Sequence, residues 1–404
     1  MFRSGGHRPG GTALDHLYEL DGLRALAVLT VILSHSGLHD TVGGWMGVDV
    51  FFVLSGYLIT TILLREYQRN STLRLGRFYL KRFLRLYPAL LLLYVVGFAF
   101  YRYLGNRGTF RGYLTTVELG ATYVQNLALG LTGQPYGQLG HTWSLATEEQ
   151  FYLVWAPLLL LTLRYRWATV ATLVAGTTGS LLSLFLTTHP NPLTGVPNTY
   201  YRPDTRCNEL FLGCLLAILL DRIGPCLQRW AVVGWILGPL CLGGLVELEV
   251  YACYHSRQLY FPQEELAAGL LSVGLVGGLC MAGSDAVLNR VLRVRPLVWL
   301  GTISYGMYIF MIPVLILLPH FAPSLASHTR MIILDEIVVI VAVAATSYYL
   351  VERRFLALKD RLTARTFGVG PLHSRSGSGR LARVGEAERG RAAVLSPLPR
   401  LPDQ

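Results

Sequence analysis

Apolar residues along this chain gather in long unbroken runs. They show neither the alternation of a half-buried strand nor the one-sided stripe of a soluble helix. Runs of spanning length cover 20–38, 46–64, 86–104, 141–163, 167–186, 207–222, 230–248, 265–283, 297–318 and 331–350. Each approaches the roughly 20 residues that carry a helix across a bilayer, and within lipid a helix satisfies its own backbone hydrogen bonds. The pattern predicts an all-α, polytopic transmembrane bundle of about ten spanning helices. An eleventh stretch, 113–132 (YLTTVELGATYVQNLALGLT), is interrupted by Glu118, Gln125, Asn126 and several glycines. It reads as re-entrant or interfacial.

Composition agrees and charge adds an orientation. Of 404 residues, 52% are hydrophobic and 15% charged, against about 25% charged in soluble domains. The segment 65–85 carries Arg65, Arg69, Arg74, Arg77, Lys81, Arg82 and Arg85, which marks it as cytoplasmic. Two runs precede it, so the N-terminus is expected on the same side. If 113–132 does not cross, Arg164 and Arg166, Arg222 and Arg229, then Arg290, Arg293 and Arg295 also fall inside. Arg102, Arg107 and Arg111 then sit on the opposite side, against the rule.

Both termini are thus expected in the cytoplasm of a multi-pass plasma-membrane protein. A polar N-terminal segment covers 1–19, the transmembrane domain 20–356, and a basic, Gly/Ser/Pro-rich disordered tail 357–404. No cleavable secretory signal is expected, and no appended soluble enzyme domain. A net charge of +11 fits an anionic leaflet, and no nucleic-acid partner is expected. The six cysteines form no CxxC pair and read as small buried hydrophobes, with no metal site.

Candidate chemistry begins in the first run, LDGLRALAVLTVILSHSG, where Arg24 and His35 interrupt apolar sequence. Eleven residues at 3.6 per turn bring both side chains to within about 20° of one helix face, about 16 Å apart along the axis. Ionisable groups inside a span usually face a bundle interior. A snorkelling arginine with a packed histidine explains the pair equally well. Asp49 follows near one end of the second run. GHTWSLATEEQFYL brings His141, Trp143, Ser144, Glu148 and Glu149, and NTYYRPDTR brings Tyr201, Arg202, Asp204 and Arg206. In RFYLKRFLRLYP, Arg77, Lys81 and Arg85 recur every fourth residue, with Arg82 beside them. That stripe is either an interfacial anchor or a mouth that attracts phosphate.

DGLRALAVLTVILSH, GVDVFFVLSGYLIT, KRFLRLYP, HTWSLATEEQFY, DTRCNELFLG and LGTISYGMYIF resemble, in order, the blocks of the integral-membrane acyltransferase family 3. The resemblance runs from about residue 18 to 356. Its members include O-acetylases of bacterial surface glycans and O-acyltransferases of macrolides. It implies a ten-helix core that moves an acyl group from acyl-CoA (acetyl-CoA or a short-chain homologue) to a hydroxyl. The family's signature of a basic residue, ten positions and a histidine falls on Arg24 and His35. Two positions depart from the family: Met311 stands where many members have histidine, and Asn208 and Glu209 follow Arg206 where many have aspartate. Neither position is expected to carry a transferred catalytic role.

On that resemblance the catalytic group is His35, Arg24 and Glu148. His35 acts as general base toward the acceptor hydroxyl. Glu148 orients its imidazole, and Arg24 pairs with a donor phosphate or polarises the thioester carbonyl. Arg24, Arg77, Lys81, Arg82 and Arg85 are assigned to the donor. Asp49, His141, Trp143, Ser144, Tyr201, Arg202, Asp204 and Arg206 are assigned to a glycan or macrolide-like acceptor. The expected partners are the lipid bilayer, acyl-CoA and that acceptor, and a homodimer remains an option. A transporter or flippase that uses Arg24, His35 and Glu148 to move protons or an anion is the rival reading.

Overall fold

A computed structural model of the chain describes residues 17–36, 42–103, 107–133, 139–189, 198–224, 229–255, 262–321, 329–358 and 362. The chain divides into two units, Met1–Lys359 and Asp360–Gln404, and everything below concerns the first. The segment before Leu17, most of the predicted tail and Cys226 lie outside the described residues.

Among the described residues the fold is wholly helical. The α-helices are α1 (Tyr18–His35), α2 (Met46–Asn70), α3 (Leu75–Tyr103), α4 (Arg107–Ala121), α5 (Gln125–Thr132), α6 (Trp143–Thr162), α7 (Arg166–Thr187), α8 (Pro203–Ile223), α9 (Ala231–His255), α10 (Pro262–Ala282), α11 (Val287–Leu292), α12 (Arg295–Phe321) and α13 (Thr329–Ser347). Short 3-10 turns at Val42–Trp45, Gly140–Thr142 and Asn198–Tyr201 lead into α2, α6 and α8. A π-helical turn, Tyr348–Glu352, continues α13.

Each of the ten predicted runs coincides with one long helix. Seven, namely α2, α3, α7, α9, α10, α12 and α13, are long and apolar enough to cross a membrane. The other three, α1, α6 and α8, are of 18, 20 and 21 residues, and they carry the ionisable side chains that lower their hydropathy. Segment 113–132 breaks into α4 and α5 around Tyr123, whose φ is 53°. At 15 and 8 residues these helices are about 22 and 12 Å long, short of a hydrocarbon core of about 30 Å. The polar residues that interrupt the run have a structural use. Asn126 and Gln150 exchange two amide hydrogen bonds of 2.9 Å, and Gln150 also donates to the Tyr123 carbonyl at 2.6 Å. This network docks α5 on α6.

Where lipid replaces water, apolar helices gain little from meeting each other, and close backbone approach through small residues does more. A Cβ on Gly56 would strike the Leu210 carbonyl, and one on Gly213 the Val53 carbonyl, which locks α2 to α8. In the same way Gly301 accommodates the Asp21 carbonyl and Gly22 that of Leu292, which holds α1 against α12 and the end of α11. Outward-facing apolar residues such as Leu186 on α7 and Ile236 and Leu240 on α9 are exposed, as lipid contact requires. Cys207, Cys214, Cys241, Cys253 and Cys280 are free thiols.

Candidate active site

α1 sets the axis of the site, and residues at the start of α6 lie within electrostatic reach of its two ionisable groups. At one end, Glu148 lies within electrostatic reach of Arg24; at the other, His141 lies within reach of His35. The pairs therefore follow opposite chain order, Arg24 before His35 on α1 and His141 before Glu148 at the start of α6.

At the Arg24 end four elements converge. Ser55 of α2 donates to Glu148 Oε1 at 2.9 Å, and Tyr152 donates to Oε2 at 3.3 Å. Arg82 of α3 pairs with Glu149 at 2.8 Å, approaches Glu148 at 3.9 Å, and lies 3.6 Å over the Tyr152 ring. Arg85 faces Arg24 and Arg82 closely enough for like charges to oppose each other, and the carboxylates of Asp21 and Glu352 lie within electrostatic reach of it. Neither Arg24 nor Arg85 makes a hydrogen bond or close ion pair with any described residue, and Arg85 is exposed. Two adjacent guanidiniums here thus lack a bonded counter-ion among the described residues. Arg77 and Lys81 lie one to two turns nearer the start of α3, half-buried.

At the other end, His35 is exposed in the last turn of α1. Its Nδ1 lies 2.8 Å from the Val31 carbonyl, one turn back, and 3.2 Å from Ser34 Oγ. A carbonyl oxygen only accepts, so Nδ1 carries the proton and the neutral ring presents its lone pair on Nε2. His141 is buried, with Nε2 donating to the Ile309 carbonyl at 3.2 Å and Nδ1 without a partner. Ser144 donates to Tyr308 at 2.6 Å, and Tyr308 donates to the His141 carbonyl at 2.6 Å. That chain fixes the turn that presents the second imidazole.

The remaining sequence-predicted residues fall elsewhere. Asp49 and Arg206 meet in the interior with no solvent exposure, where Arg206 also pairs with Glu209 at 3.3 Å and Glu265 at 3.0 Å. Trp143 packs 4.8 Å from Tyr200 and 5.4 Å from Tyr201, and the Arg206 guanidinium lies 5.8 Å from its ring. The ion cluster of Asp49, Arg206, Glu209 and Glu265 braces α2, α8 and α10 away from solvent, while Tyr200 and Tyr201 beside it are half-buried. Arg202 and Asp204 pair with each other at 2.6 Å on the surface, with Ser183 on the same carboxylate. The expected contact between Glu148 and His35 is absent from this arrangement: Glu148 is engaged at the Arg24 end, and the group on His35 Nδ1 is the Val31 carbonyl.

The family model described as Acyltransferase domain, that of acyltransferase family 3, matches residues 17–352. The chain belongs to this family. As a member of acyltransferase family 3 it is 33% identical over 314 residues to the peptidoglycan O-acetyltransferase OatA of Listeria monocytogenes, covering 74% of this chain and 49% of that protein. It is 30% identical over 358 residues to YrhL of Bacillus subtilis, provisionally named a peptidoglycan O-acetyltransferase, covering 83% of this chain and 54% of the relative. The chain thus spans about half the length of these curated relatives. No solved structure matches.

Several residues near these clusters carry no signal in the linear sequence. Ser55, Tyr152 and Tyr308 are polar atoms on otherwise apolar helix faces, and their partners lie 93, 4 and 164 positions away. Glu209 was set aside for standing one position beyond the family's acidic residue, and Glu265 looks like an ordinary first-turn carboxylate of α10. The buried arginine they share is the signal that identifies them.

Proposed function

We propose that this chain is a membrane O-acetyltransferase that moves an acetyl group from acetyl-CoA to a hydroxyl of a cell-envelope glycan, with His35 as general base. The observation that carries this reading is that, among the described residues, neither Nε2 of His35 nor the guanidinium of Arg24 on the same helix has a bonded partner. Family membership supplies the class of reaction, and the names of the relatives favour a glycan acceptor over a macrolide.

Distance divides the roles. Arg24 and His35 are about 16 Å apart along α1, too far to act on one carbonyl. Arg24, with Arg82 and Arg85, therefore holds the phosphates of the donor, while the thioester extends along α1 toward His35. The acceptor hydroxyl gives its proton to Nε2 as its oxygen attacks the thioester carbonyl. The C–S bond breaks, and the imidazolium returns the proton to the leaving thiolate. The charge pattern supports a cytoplasmic donor mouth, with His35 toward the opposite face.

The test incubates detergent-purified protein with acetyl-CoA and glycan acceptors, and follows thiol release and product mass. His35→Ala lowers transfer by about 10²–10⁴-fold, the usual share of a general base, with an unchanged unfolding midpoint. Arg24→Gln raises the donor KM by roughly tenfold or more, as loss of a charge-assisted bond of about 1.5–3 kcal/mol requires, and leaves the acceptor KM unchanged. Full activity in His35→Ala overturns the mechanism. Proton-coupled movement of a solute without thiol release supports a transporter instead.

A further inference from the structure

A cavity of about 390 Å³ opens at the start of α1, lined by Tyr18, Arg293, Arg295, Val298 and Trp299. Its size is that of a small-ligand site, and its lining is of two kinds only. Two guanidiniums face two aromatic rings, with one valine between them.

The side chains are held in place. Arg293 is steered by Glu19 at 3.7 Å and lies 5.8 Å from the Tyr18 ring. The Trp299 indole N–H donates to Tyr349 at 3.0 Å, which fixes the ring and leaves its faces for stacking. Arg295 is exposed and makes no hydrogen bond or ion pair with any described residue. It sits in the first turn of the 27-residue α12, whose N-terminal dipole also favours an anion. The two walls cannot drift apart, because Gly301 receives the Asp21 carbonyl and Gly22 that of Leu292 just beyond the cavity.

We propose that this cavity binds the phosphorylated nucleoside end of the donor, with the purine on Trp299 and Tyr18 and its phosphate on Arg293 and Arg295. The inference rests on the acetyl-CoA reading and extends it to an anchoring site outside the reaction path. Tyr18 precedes Arg24 by about 9 Å along α1, and His35 lies about 16 Å beyond Arg24. Tyr18 also stands about 120° from Arg24 around the helix, so the donor curves around α1 as it descends, with nucleoside first, pyrophosphate at Arg24 and thioester at His35. Arginine suits the phosphate because its planar fork matches it in two bonds, and the aromatic faces suit a purine. An anionic phospholipid headgroup shares the phosphate chemistry but has no flat ring for Trp299.

The test uses the full chain in detergent. Adenosine 3′,5′-bisphosphate is expected to raise the unfolding midpoint of the wild type and to leave Arg295→Gln and Trp299→Ala unmoved. In the transfer assay, Arg295→Gln raises the KM for acetyl-CoA about tenfold and leaves kcat and the KM for S-acetylpantetheine, which lacks the nucleoside, unchanged. Should Trp299→Ala fail to fold, Arg295→Gln alone carries the test, since its side chain is exposed. An equal rise in both KM values, or no stabilisation by the bisphosphate, overturns the assignment. So does stabilisation by anionic phospholipid vesicles alone, which makes the cavity a headgroup site. Bisphosphate binding without any acetyl transfer would uphold the cavity and reject the activity, so the two readings fail separately.

Discussion

Arg206 carries its charge into the interior with no exposed atom, and three carboxylates from α2, α8 and α10 close around it. Such a cluster gains little over apolar packing while it is complete, because desolvation offsets the attraction. Removing one partner is costly, since the others stay buried without compensation. Arg206→Met is therefore expected to destabilise the protein by about 3–5 kcal/mol, measured as a fall in the unfolding midpoint in detergent, and to lower the yield of folded protein. The sequence-level view of Arg206 and Asp49 as acceptor contacts reflects what linear distance hides. Asp49 lies 157 positions from its partner, and nothing local distinguishes a sealed ion pair from an open one. Arg24 and His35 were legible because one helix carries both, and helical geometry alone fixes their relation.

Helix pairs in this bundle are matched through glycines at a few crossings. The α1–α12 crossing is the tightest for function, because it shapes both the cavity at Tyr18 and the approach to Arg24. Gly301→Leu would drive a branched side chain into the Asp21 carbonyl, and the helices would have to separate. A loss of at least 2 kcal/mol is expected, about the upper part of the overpacking range, together with a weaker donor KM. Thermal unfolding and donor titration check the two effects. At this scale the sequence was most informative: apolar run length located every long helix, because lipid imposes length and polarity together. The break between α4 and α5 was legible only as a doubtful stretch. Its cause is the amide network of Asn126 and Gln150, which joins side chains 24 positions apart.

For the whole molecule, the charge pattern assigns both ends of the chain to the cytoplasm, and this is open to direct measurement. A fluorescent protein that folds only in the cytoplasm, fused after Gln404, is expected to be bright, and a phosphatase active only outside is expected to be silent there. The reverse pattern would place the Arg24 mouth on the outer face, away from cytoplasmic acetyl-CoA. α1 is made before α12, yet Glu19, Asp21 and Arg24 make it a helix that lipid alone retains poorly. The helix that shelters it is made only after about 280 further residues, the separation of Gly22 and Gly301, which is of the kind that slows closure of a fold. α1 thus stays without its main helical neighbour until α12 has been made, and a nascent chain halted before that point would hold a charged helix unshielded, a natural target for quality control.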